Sequence, residues 1–93
     1  MDLSVHEFKP SARRHGISEA RMLEAIADCR APLFITNLIS GDDDVVLLLG
    51  HDRSGVPLEI MGREITDGTV VVFHAMRRRP AYADLHRQLE GRR

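Results

Sequence analysis

Thr66-Asp67-Gly68-Thr69 lies between two runs of strand-forming residues, 58–65 and 69–75, and constrains the fold more than any other part of the chain. An Asp-Gly pair accepts the positive φ angles of a type I′ turn, so the two runs are predicted to fold back on each other as a hairpin. Upstream, the five consecutive apolar residues 45–49 read as a central strand covered on at least one face. Residues 33–39, β-branched and alternating in polarity, read as a further strand. Ser40-Gly41-Asp42-Asp43-Asp44 forms a polar, solvated turn between these two, and residues 50–55 supply the next reversal. Strands joined by such short turns can only be antiparallel neighbours, because a parallel pair needs a crossover of about a dozen residues or more. A four-stranded antiparallel sheet is the expectation.

The remaining segments are predicted to be helical or too sparse to assign. Residues 5–8 carry too few apolar positions to define an element, and Pro10 opens a short helix that runs to Arg14. Gly16 is a natural left-handed stop, and Ser18 caps a second helix over residues 19–30. Ala20, Leu23, Ile26 and Ala27 recur there at helical spacing, widened by Met22 and Cys29, so this helix must lie on the sheet. Pro32 closes it. After Arg77-Arg78-Arg79-Pro80, residues 81–89 suggest a short terminal helix. The class is α+β, with N-terminal helices packed on the sheet and a short helix at the end. At 93 residues, one domain and one hydrophobic core account for the whole chain.

Charge is distributed unevenly. The net charge is −1, yet residues 1–76 carry seven basic and twelve acidic side chains, whereas residues 77–93 carry six arginines against Asp84 and Glu90. Twelve of the thirteen basic residues are arginine, whose planar fork suits carboxylate or phosphate, although a coding bias would give the same excess. No run approaches the roughly 20 apolar residues of a membrane span, and residues 1–9 are too polar for a signal peptide, so the cytoplasm is the expected compartment. The single cysteine, Cys29, falls on the apolar side of its helix and reads as a buried small side chain.

The order Ser11-Ala12-Arg13-Arg14-His15-Gly16-Ile17-Ser18, a helix, meandering strands with Gly-rich turns, and then His74-Ala75-Met76-Arg77-Arg78-Arg79 resembles the BrnT-like toxins of type II toxin-antitoxin systems. These belong to the wider RelE-like group. The basic-His-Gly-aliphatic-Ser pattern of the family is matched by Arg14 to Ser18, and its small-then-basic strand end by Ala75 and the three arginines. The resemblance spans roughly residues 8–80. It implies a RelE-like fold and an endoribonuclease that needs no metal or other cofactor, either acting alone or associated with the ribosome. It also implies neutralisation by a cognate antitoxin, with homo-oligomers within that complex. Two departures stand out: the chain is slightly acidic overall, and with Tyr82 as its only tyrosine and no tryptophan it offers little stacking surface for bases.

RNA cleavage without a metal requires a base for the 2′-hydroxyl, an acid for the leaving 5′-oxygen and cations for the developing charge. Strand alternation puts Val70, Val72, His74 and Met76 on one face and Val71, Phe73 and Ala75 on the other, with the Phe73 face expected to be core. His74 then faces Glu59 and Arg63 of the neighbouring strand, close to Arg77, Arg78 and Arg79. On this reading His74, Glu59 and Arg77 are the catalytic candidates, and Arg63, Arg78, Arg79 and Tyr82 the substrate-binding ones. His15 reads as a packing residue tying the helix junction to the sheet. His51-Asp52 is a ligand-like pair with no cysteine or carboxylate at metal spacing, so no metal site is expected. Equally open is a non-catalytic binding domain in which the same arginines dock an acidic protein partner.

Overall fold

The run 45–49 is buried on both faces of the sheet, which fixes the centre of the molecule. The computed structural model describes residues 3–37 and 42–91. Around the central strand β3 (Asp42–His51) lie β2 (Leu33–Asn37), β4 (Pro57–Thr66) and β5 (Thr69–Arg77), each antiparallel to its sequence neighbour. A fifth strand, β1 (Ser4–Phe8), joins the far edge parallel to β5, giving the order β1-β5-β4-β3-β2. The α+β class stands, but the sheet is mixed and five-stranded. An edge strand needs few apolar side chains, and Val5 and Phe8, with Leu3 just ahead of them, suffice to pack against the core. The whole intervening chain serves as the crossover that parallel pairing requires. Residues 42–44, expected in a turn, already belong to β3, whereas residues 38–41 lie outside the described segments.

Two helices cover the sheet. Helix α1 (Glu19–Asp28) starts where the Ser18 hydroxyl accepts a hydrogen bond from the Arg21 main-chain N–H at 3.2 Å, after Gly16 has turned the chain at φ +77°. Its Met22, Ala25 and Ile26 pack with Val46, Leu48, Leu58 and Ile60. At the point of closest approach a Cβ on Gly50 would stand 2.0 Å from the Ala25 carbonyl oxygen, so only glycine lets the helix lie directly on β3. The helix ends at Asp28, two residues before the expected Arg30. On the opposite face α2 (Ala83–Glu90) presses Leu85 and Leu89 onto Leu47 and Leu49. The segment opening at Pro10 is a single 3₁₀ turn, Pro10–Arg13, and a second such turn, Pro80–Tyr82, leads into α2.

The hairpin at Asp67-Gly68 forms where expected but not with the expected turn. Gly68 has φ +79° and no non-glycine residue among those described has positive φ, so the type I′ geometry, which needs both central residues there, is absent. A register shift between Glu64 and Thr66 accommodates the strand twist instead. No helix among the described residues is long and apolar enough to cross a membrane.

Candidate functional site

The site follows from a second irregularity between β4 and β5. Met61 faces His74, but the next residue, Gly62, faces Val72, so Phe73 is an extra residue in β5. A Cβ on Gly62 would lie 2.8 Å from the Val71 carbonyl oxygen, which explains the glycine there. The bulge resets the alternation, so that Val70, Val72 and Ala75 all enter the core beneath α1. The expectation that Phe73 marks the core face is thereby corrected: that face belongs to Val70 and Val72, and Phe73 is half-buried. His74 still emerges opposite the core, on the face that carries Glu59.

Glu59, wholly buried, is the hub of this face. Its carboxylate contacts His74 Nε2 at 3.0 Å and accepts hydrogen bonds from the Arg79 main-chain N–H at 2.8 Å and from Arg79 Nη2 at 2.6 Å, with Nε at 3.0 Å. Burial pushes the carboxyl up. The Arg79 side chain and main chain and then His74 pull it down further, leaving it below the ordinary glutamate value. The same hydrogen bonds raise Arg79. Half of the Arg79 side chain remains exposed, and its guanidinium lies 5.7 Å from the centre of the Tyr82 ring. Tyr82 itself packs against the Leu47–Leu49–Leu89 cluster.

His15, expected to be a packing residue, is exposed, and its ring meets His74 edge-on with centroids 5.7 Å apart. The 3₁₀ turn positions it, anchored by the Ser11 hydroxyl, which donates to the Phe73 carbonyl at 2.6 Å. The other candidates stand apart. Arg77 alternates onto the face opposite His74. Arg63 shares the Glu59 face but lies four residues along β4, about 13 Å at the usual strand rise. Arg78 turns to α2, where Nη1 lies 2.8 Å from His86 Nδ1 while its buried Nε finds no hydrogen-bond partner among the described residues. The arrangement is thus an imidazole oriented by a buried carboxylate, beside a second imidazole and a half-exposed guanidinium, which are the components of proton transfer at a phosphate.

His51 and Asp52 do not act as a pair. Asp52 Oδ1 accepts from the main-chain N–H groups of Ser54 and Val56, each at 2.9 Å, and Oδ2 binds Arg21 Nε at 2.8 Å, so this side chain shapes the β3–β4 turn. His51 instead joins Asp28, His86 and Glu90. Two of these partners, His86 and Glu90, sit at i, i+4 on the terminal helix, a spacing that the sequence itself carries. Burial holds the His86 imidazole below its ordinary value, with Glu90 opposing and His51 and Arg78 reinforcing the shift. No family model, curated protein or solved structure matches the chain.

Proposed function

We propose that this chain is the toxin of a two-component toxin-antitoxin pair, a cytoplasmic endoribonuclease that cleaves RNA without a metal through His74 and His15. The observation that carries this reading is the His74 imidazole, bound through Nε2 to a buried carboxylate and facing a second imidazole. An ionised carboxylate only accepts hydrogen bonds, so Glu59 holds the proton on Nε2 and leaves the Nδ1 lone pair of His74 free to take another. In the proposed reaction Nδ1 removes the 2′-hydroxyl proton, the 2′-oxygen attacks the adjacent phosphorus and the bond to the 5′-oxygen breaks. Protonated His15 gives its proton to that oxygen. The products are a 2′,3′-cyclic phosphate and a 5′-hydroxyl, and the exposed part of Arg79 lies beside the charge that develops on phosphate. Growth arrest and an antitoxin partner are implied by the resemblance of the segments that supply His15 and His74.

Soluble expression without a partner should arrest bacterial growth, and the purified protein should cut RNA in the presence of a chelator. His74→Asn should abolish both effects while leaving the circular dichroism spectrum unchanged. Normal growth and intact RNA at confirmed soluble expression would sink the proposal. In that case the docking of an acidic partner through the arginines becomes the better reading, and Arg77→Ala should weaken that complex.

A further inference from the structure

The cluster at the end of β3 is separate from the His74 site and has a different chemistry. His51 Nδ1 lies 3.1 Å from Asp28 Oδ2 and 3.5 Å from Glu90 Oε2, and His86 Nε2 lies 3.8 Å from Glu90 Oε1. The donor atoms of His51, His86 and Glu90 all fall within 4.8 Å of one another. The two imidazole rings lie 4.7 Å apart between centroids with a 30° tilt, and His86 is 1 % exposed. The 3.8 Å between His86 and Glu90 is too long for a hydrogen bond. It is nevertheless close to the spacing of ligands around a tetrahedral zinc ion, where bonds of about 2.1 Å put donors about 3.4 Å apart.

We propose that His51, His86 and Glu90 bind a zinc ion, that Asp28, which contacts His51 but lies outside that 4.8 Å group, moves in as the fourth ligand, and that the ion fastens α2 to the ends of β3 and α1. Two neutral imidazoles with two carboxylates balance a dication, and nitrogen ligands favour zinc over magnesium or calcium, which take oxygen. A cleft of about 370 Å³, lined by Glu24, Asp28, His51 and Arg53 among others, gives the ion a way in. One contact opposes the site. Arg78 can only donate, so at 2.8 Å it requires Nδ1 of His86 to accept and the ring proton to sit on Nε2. Ligation through Nε2 moves that proton to Nδ1, and the Arg78 side chain has to swing away. A residue that accepts from Nδ1 would assist zinc instead.

The test is zinc titration of the purified protein, by calorimetry and by competition with a chromophoric chelator, alongside thermal melting. One equivalent should bind and raise the melting temperature. His51→Ala and Glu90→Gln change half-exposed side chains and so avoid the folding risk of altering His86, and each should weaken binding by at least about tenfold. Arg78→Gln should tighten it. His74→Ala should leave it unaltered, which separates this site from the proposed catalytic one and keeps the outcome independent of any ribonuclease activity. Absence of stoichiometric binding, binding that survives His51→Ala, or binding lost with His74→Ala would each overturn the assignment.

Discussion

Glu59 shows how one side chain can organise a face of the sheet. It is charged, wholly buried and satisfied by a single flexible partner together with an imidazole. Removing it strands Arg79 and unties the segment after β5, so Glu59→Ala should destabilise the fold by about 3 kcal/mol, the usual order for breaking a buried charge pair. Because the folded pKa lies below the unfolded value, Glu59 contributes its stabilisation above the unfolded carboxylate range of about 4.3, and the contribution fades as pH falls through the folded pKa. Melting temperature measured down the acid range should therefore drop more steeply in the wild type than in Glu59→Gln. Identical acid profiles would mean that Glu59 is not ionised in the folded protein. The pairing of His74 with Glu59 was expected from the sequence, but through an alternation that also put Val70 and Val72 on that face; the bulge at Phe73 sends those two into the core and leaves His74 beside Glu59. The role of Arg79 was not legible, because its main-chain and side-chain donors converge on Glu59 only through a bend after the strand that no periodicity records.

At the scale of elements, the helix-on-strand contact is set by a missing side chain. With the Ala25 carbonyl 2.0 Å from where a Cβ would stand, Gly50→Ala must push α1 off β3. The expected loss is at least about 2 kcal/mol, at the upper end of overpacking effects, measured by chemical denaturation. A loss of a few tenths would show that the helix shifts freely. The Ser18 cap, the Gly16 stop, the buried run 45–49 and the hairpin could all be read in advance, since each rests on local backbone chemistry or burial pattern. Strand β1 could not, because Ser4–Phe8 owes its conformation to the β5 edge rather than to its own residues. The bulge at Phe73 was equally hidden, its cause being the close approach of Gly62 to Val71 on the neighbouring strand.

For the molecule as a whole, the basic C-terminal segment on an acidic body is less available to phosphate than its sequence suggests. Arg78 and Arg79 are held by His86 and Glu59, and Arg87 pairs with Asp84. Binding of a single-stranded RNA should accordingly show a shallow salt dependence, with log K against log salt no steeper than about −1.4, which corresponds to two phosphate contacts. A slope of about −3 or beyond would mean that these internal pairs open on binding. The parallel pairing of β1 with β5 has its own consequence for how the protein comes into being on the ribosome. Ser4 meets Thr69, 65 residues later, so β1 must wait, unpaired, until β5 has emerged. His15, just beyond it, likewise meets His74 only once β5 has been made, so the two imidazoles on which the proposed reaction rests come together no earlier than that strand.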